Sequence, residues 1–230
     1  MKHFRSTMKR CLLLSVLLLM MLPGRQAMAA SQKSKAMKAY SKYLAKHLPD
    51  PSYERWFYDA SFNPSNKDYA SSFFLYDINK DKVPELFTYT IVNFRWFNVR
   101  IFTYKSGKVK PYKIKGAGKA EFIDRATAIG IYSFFICSKR HIHNMWSGST
   151  PIGEGSYEKV YVSASGQLKE YLAKDDKFTS RSSSYRKNGK AISAAAYASL
   201  TQKCSARPMK AYDNTAANRR KLSRGGIKVN

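Results

Sequence analysis

The residues with the clearest chemical potential lie in one short segment, Asp77-Ile78-Asn79-Lys80-Asp81-Lys82-Val83-Pro84-Glu85-Leu86. Counted from Asp77, oxygen-bearing side chains fall at positions 1, 3, 5 and 9. A hard cation such as Ca2+ takes six to eight oxygens. This spacing lets a tight loop curl Asp77, Asn79, Asp81 and Glu85 around one ion, with the backbone carbonyl of Val83 as a further ligand. Position 6, where glycine normally permits the sharp turn, is Lys82, and position 12, where helix-loop-helix sites carry a bidentate glutamate, is Thr88. Lys80 and Lys82 bring positive charge that opposes a divalent cation. A plainer reading gives the same residues a hydrogen-bonded Asx turn between two strands. The sequence leaves both open.

His141-Ile142-His143 is a second chemical cluster, because alternate residues on a strand face the same way and two imidazoles there could hold zinc or copper. The third ligand such a site needs has two candidates across a hairpin, Glu154 and Glu158. Cys137 and Cys204 are the cysteines outside the N-terminal apolar run. In an oxidising compartment they can form one disulfide tying a central strand to the C-terminal helix. Cys137 with His141 would be a nucleophile pair, but nothing beside it announces an oxyanion site or an orienting group. The chain has no G-x-S-x-G and no H-E-x-x-H, and acids such as Asp124 and Asp175 cannot be paired from sequence. Gly148, Gly153 and Gly155 lack the strand-to-helix setting and the lysine of a phosphate loop.

The elements that must position these groups follow from periodicity. Met37, Tyr40, Leu44 and Leu48 recur at helical spacing between Ser34 and Leu48, with lysines opposite, which predicts an amphipathic helix. Asp50 before Pro51 predicts a second short helix through Trp56 and Tyr58. Beyond Asn63-Pro64-Ser65 the character becomes β: Phe73–Tyr76, Leu86–Val92, Phe97–Tyr104 and Ile129–Cys137 are rich in aromatic and β-branched residues. Three turns, Lys105-Ser106-Gly107-Lys108, Ala164-Ser165-Gly166-Gln167 and Lys187-Asn188-Gly189-Lys190, read as hairpins. Ser193 caps a last helix whose buried side carries Tyr197, Leu200 and Cys204, with Pro208 ending it. The expected fold is α+β, with N-terminal helices packed on a twisted antiparallel sheet of hairpins and a C-terminal helix.

With its preceding aromatic strand and following strand, the Asp77–Leu86 loop resembles the D-x-[DN]-x-D-G-x-P-E-L loop of a family of uncharacterised exported proteins of Gram-positive bacteria. Phe102-Thr103-Tyr104-Lys105-Ser106-Gly107-Lys108-Val109 is similar to the family's next hairpin. Asn188-Gly189-Lys190 with Ser193 and Tyr197 is similar to its closing strand-to-helix unit, and Asn214-Thr215-Ala216-Ala217-Asn218-Arg219 to its tail. The resemblance implies an extracellular protein with a calcium-type loop, and it brings no activity with it.

Residues 1–30 read as a cleaved signal peptide. Lys2, Arg5, Lys9 and Arg10 precede an apolar run from Cys11 to Leu22, and Ala27-Met28-Ala29 supplies small residues for cleavage after Ala29 or Ala30. The run falls short of the roughly 20 residues needed to span a bilayer, so no transmembrane segment is expected after processing. Residues 31–215 then form a single domain, and 216–230 a basic flexible tail. The formal charge is +26, and the five Lys/Arg of residues 1–30, which contain no acid, account for its fall to +21 on cleavage. A field of that size favours polyanions, anionic lipid headgroups or acidic wall polymers, although no nucleic-acid motif accompanies it. The leading reading is a secreted, non-catalytic protein associating with anionic surfaces or polymers, with calcium as a candidate structural ion. The rival is an extracellular hydrolase using acids or histidines in a cleft.

Overall fold

The computed structural model describes residues 28–48, 71–89, 91–92, 96–119, 121–123, 129–150, 153–177, 180–202 and 204–230. Helix α1 covers 28–46. Its buried face is Ala36, Met37, Tyr40 and Leu44, and Lys33, Lys35, Lys38, Lys42 and Lys46 stand exposed, as the helical spacing predicts. Leu48, expected on the same buried stripe, lies past the helix end and is 44% exposed. The predicted second helix near Trp56 and most of the signal segment fall outside the described residues. No helix among the described residues is long and apolar enough to cross a membrane.

The strands that follow are β1 (Ser72–Tyr76), β2 (Glu85–Tyr89), β3 (Ile91–Val92), β4 (Trp96–Lys105), β5 (Lys108–Pro111), β6 (Lys113–Ile114), β7 (Gly118–Lys119) and β8 (Glu121–Ile123). They continue with β9 (Ile129–Ile136), β10 (Ile142–Thr150), β11 (Gly153–Ala164), β12 (Gln167–Lys177), β13 (Ser182–Lys187) and β14 (Lys190–Ala191). Helix α2 (Ala194–Thr201), strand β15 (Tyr212–Asp213) and helix α3 (Ala216–Ser223) complete the order. The fold is α+β, as the sequence predicts, but its strands form two sheets. One runs β15-β1-β2-β4-β3, with β5 and β8 also on β4; the other runs β14-β13-β12-β11-β10-β9, with β6 and β7 attached through β12. Among the described residues, pairing is antiparallel except for the β12–β6 contact at Leu168 and Ile114 and the isolated bridge between Leu75 and Val229.

Three apolar clusters set the layering. Phe74, Tyr76, Phe87, Val99 and Ile101 of the first sheet meet Ile136, Ile142, Tyr161 and Leu168 of the second, which makes a sheet-on-sheet core. The alternate residues Phe73, Leu75, Leu86 and Phe102 face the other way and pack under α1 and α3, against Met37, Tyr40, Leu44 and Leu222. Every residue of β1 is therefore buried, since both of its faces are covered. On the far side of the second sheet, Val160 and Leu172 pack against Tyr197 of α2. Leu168 and Leu172 sit on opposite faces although four residues apart. The register shifts between Val160 and Tyr161, whose partners are Leu172 and Glu170, so Tyr171 is the extra residue of a bulge that reverses the alternation.

All three predicted turns form. Ser106 and Gly107, Ser165 and Gly166, and Asn188 and Gly189 have φ of 53° and 78°, 51° and 73°, and 49° and 79°. Two successive left-handed residues match the right-handed twist of the flanking strands, which explains the glycine at the second position. Ser193 caps α2 as expected, its Oγ accepting from Ala196 N at 3.2 Å. The helix ends at Thr201, so Cys204 lies beyond it.

The expected flexible tail at 216–230 is instead structured. Thr215 caps α3, with Oγ1 accepting from Asn218 N at 3.2 Å. Leu222 is 0% exposed, Ile227 is also buried, and Val229 bridges Leu75 of β1. Asn214 locks this segment to α1: its amide donates to the carbonyls of Leu44 at 3.1 Å and His47 at 3.4 Å, at the C-terminal end of the helix. Ser41 of α1 donates in turn to Arg219 O at 2.9 Å. The basic residues Arg220, Lys221 and Arg224 are the exposed side of an anchored element.

Candidate functional site

The β1–β2 loop joins Asn79, Asp81 and Glu85 by side-chain hydrogen bonds and holds Asp77 against the Lys82 amide. Lys80 and Lys82 have φ of 63° and 71°, so lysine adopts the left-handed turn that glycine would supply more cheaply. Asp77 Oδ2 accepts from Lys82 N at 3.2 Å, Asn79 Oδ1 from Asp81 N at 2.9 Å, and Asp81 Oδ1 from Val83 N at 2.8 Å. Each side chain thus spends one oxygen holding the turn, which is the Asx geometry the plainer reading anticipates. The remaining groups face one another. Asn79 Nδ2 donates to Asp81 Oδ2 at 3.1 Å and to Glu85 Oε1 at 2.9 Å, while Asp77 Oδ1 is buried without a partner.

Glu85 is the chemically unusual member. It is 0% exposed, and its Oε2 accepts from Ile78 N at 2.9 Å. Burial pushes its pKa up to about 8; the Ile78 N–H opposes this, and the charges of Asp81 and Asp77 add to it. Tyr40 of α1 donates to Pro84 O at 3.1 Å, and Arg140, stacked over the Tyr76 ring, donates to Asp77 O at 2.6 Å. The loop is therefore fixed from both sides. As a fit test for calcium, each of the predicted groups can offer an oxygen, Asp77 Oδ1 is buried and unpartnered, and a carboxyl whose pKa burial raises adjoins two further acids. A divalent cation would satisfy all three. Asp77, Asn79, Asp81, Glu85 and the Val83 carbonyl are the groups that would hold it, and its effect would be to tie β1 to β2.

No family model, curated protein or solved structure matches this chain.

The second cluster lies under β10. His143 is 2% exposed, with Nδ1 at 2.8 Å from Glu158 Oε1 across the β10–β11 pair. Tyr197 of α2 donates to Glu158 Oε2 at 2.8 Å. Burial alone would raise the Glu158 pKa, but the hydrogen bonds from His143 and Tyr197 prevail and hold it below the usual carboxylate range. Beside the imidazole, Cys137 and Cys204 are disulfide bonded, with Cα atoms 5.3 Å apart. His143 Nε2 lies 3.4 Å and His141 Nδ1 3.9 Å from Cys204 Sγ, so the two histidines do share a face. Glu158, one of two sequence candidates for a third ligand, instead supports His143 through the other ring nitrogen. The side chain of Glu154 falls outside the described residues.

The participation of Cys204 and Tyr197 was missed by sequence reasoning, because each reaches the site across more than 38 residues of chain. A cysteine just past the capped helix was the available signal. Among the other candidates, Asp175 pairs with Arg186 at 2.7 Å, and Asp124 lies outside the described residues. Gly148 and Gly155 face each other in the β10–β11 ladder. A cleft of about 180 Å³ between the sheets is lined by Phe74, Tyr89, Val99, Phe134 and Met209 beside Arg207, and neither the loop acids nor the two histidines reach it.

Proposed function

We propose that this chain is a secreted, non-catalytic protein that associates with anionic polymers or wall surfaces through a lysine-rich face, with a structural calcium in its β1–β2 loop. The observation that carries the reading is a run of uncompensated charge. Lys105, Lys108, Lys110, Lys113, Lys115 and Lys119 are all exposed along the β4–β7 hairpins, and no acidic residue lies between Glu85 and Glu121. Among the described residues, several carboxylates elsewhere are spent internally: Glu158 on His143, Asp176 on Lys174, Asp175 on Arg186, and the loop acids Asp81 and Glu85 on the Asn79 amide. A second cationic surface is the groove of about 490 Å³ between α1 and α3, lined by Lys33, Lys38 and Arg224. Like charges held this close raise the local anion concentration and steer a polyanion toward the surface.

The hydrolase reading asks carboxylates of Asp77–Glu85 or the His141/His143 strand to meet a substrate in a cleft. Glu85 and His143 are buried and hydrogen bonded to internal partners, and none of these residues lines the cleft between the sheets. The deciding experiment is retention of the processed protein on an immobilised wall polyphosphate polymer across a salt gradient. Elution should shift to lower salt when Lys108, Lys110 and Lys113 are replaced by glutamine, because screening acts on exposed charges. Unchanged elution of that folded triple variant would remove this face from the proposal.

A further inference from the structure

We propose that reduction of the Cys137–Cys204 disulfide converts the cluster under β10 into a zinc site, with both thiolates and His143 Nε2 as ligands. His141 or water takes the fourth position. The residues involved are separate from those of the β1–β2 loop, and the chemistry is of the opposite kind, soft sulfur and imidazole in place of hard oxygen.

Geometry carries the assignment. The ligand atoms of Cys137, His143 and Cys204 all lie within 4.8 Å of one another. Tetrahedral zinc, with Zn–N of about 2.0–2.1 Å and Zn–S of about 2.3 Å, sets a nitrogen and a sulfur about 3.6 Å apart. The observed separations from Cys204 Sγ, 3.4 Å to His143 Nε2 and 3.9 Å to His141 Nδ1, bracket that value. Glu158 then supplies what metal-binding imidazoles typically have, a carboxylate on the opposite nitrogen. Accepting at 2.8 Å, it fixes the proton on Nδ1 and directs the Nε2 lone pair at the sulfurs. Tyr197 holds Glu158, and Phe135 stacks on the His143 ring at a centroid distance of 4.4 Å.

The oxidised form leaves this arrangement incomplete. A disulfide sulfur has no proton to donate, so the lone pair of a 2%-exposed imidazole points at an atom that cannot satisfy it. Reduction breaks the S–S bond and leaves two thiols: a dithiol supplies two electrons and two protons and becomes a disulfide, whereas a phosphine supplies two electrons, water supplies the two protons, and the phosphine becomes its oxide. Zn2+ then displaces both thiol protons to solvent as two Zn–S bonds form. The sulfurs must separate to about 3.8 Å in a tetrahedral site. Cys137 is buried and held by its N–H to His141 O and by its bridge to Ala206, whereas Cys204 is half-buried in the connection after α2 and held by its N–H to Thr201 O, so the larger share of the movement falls to Cys204.

The test uses the full chain treated with a phosphine reductant under inert gas and titrated with Co2+ as the spectroscopic probe. One Co2+ per chain should give a thiolate-to-cobalt charge-transfer band and tetrahedral visible bands, which equimolar Zn2+ bleaches. The unreduced chain should give neither. Glu158→Gln should keep the spectrum and weaken Co2+ binding roughly 10- to 100-fold, as loss of an outer-shell partner does. Cys204→Ser should lose the two-thiolate spectrum. Should reduction unfold the chain, added Zn2+ must restore its circular dichroism, because an ion that binds the folded form favours it. Three results each overturn the proposal: a folded, reduced chain without the charge-transfer band, a reduced chain that Zn2+ leaves unfolded, and His143→Gln with unchanged affinity.

Discussion

Replacing Glu85 by glutamine probes the loop most directly, because it removes one titration and keeps an acceptor for Ile78 N. In the folded chain this carboxyl has its pKa pushed up from 4.5 to about 8. The native state therefore binds more protons than the unfolded state between those values, and stability falls as pH rises through the window. At 1.36 kcal/mol per pKa unit, the loss between pH 5 and pH 7 amounts to about 2.5 kcal/mol, an order-of-magnitude figure. For a chain of this size, that corresponds to a melting temperature lower by roughly 5–10 °C. His141 works in the opposite direction, since burial lowers its pKa and favours the folded state as pH rises. The informative quantity is thus the difference between wild type and Glu85→Gln, measured by thermal unfolding at pH 5, 6, 7 and 8 in the presence of a calcium chelator. Wild type should lose stability relative to the variant as pH climbs. Calcium at 100 times its Kd should then return about 2.7 kcal/mol to wild type at pH 8, and less at pH 5, where a proton occupies the carboxyl. Parallel pH profiles for the two proteins would refute the buried-carboxyl argument. A calcium-independent wild-type profile at millimolar ion would refute the metal.

Leu222→Ala should destabilise the fold by about 2–5 kcal/mol in denaturant unfolding, as for other fully buried leucines; a flexible tail would register nothing. Gly155→Ala should disrupt the β11–β12 ladder, since the added Cβ would sit 2.7 Å from the Asp176 carbonyl oxygen, and faster amide exchange along β12 would report it. Replacing both Cys137 and Cys204 by alanine should cost about 4 kcal/mol at this sequence separation of 67, read from chemical denaturation without added metal.

What the sequence made legible was local. Ser-Gly and Asn-Gly turns, the Ser193 cap and the lysine-backed stripe of α1 each depend on residues a few positions apart, so their types disclose their conformations. The loop's Asx bonds from Asp77, Asn79 and Asp81 were legible for the same reason. The second sheet was not, because alternating aromatics in β1 and β4 fit one covered face as well as two. The bulge at Tyr171 changes which face Leu172 takes, and no turn residue announces it. Residues 216–230 were judged by their arginines and lysines, although Leu222, Ile227 and Val229 already formed a sparse apolar set. The Cys137–Cys204 bond was legible from the cysteine count, but the pairing of Ser72 with Asp213, and of His143 with Cys204, depends on chain closure over long separations, which short-range patterns do not encode.

The outer neighbours of β1 are β15 and Val229, and Asn230 N donates to Leu75 O at 2.9 Å. During synthesis, a nascent chain would carry the aromatic-rich β1 with one open ladder edge until residues 212–230 had left the ribosome. Completion of the first sheet consequently waits for residues 212–230, and the interval before they arrive is when chaperones would find their binding site.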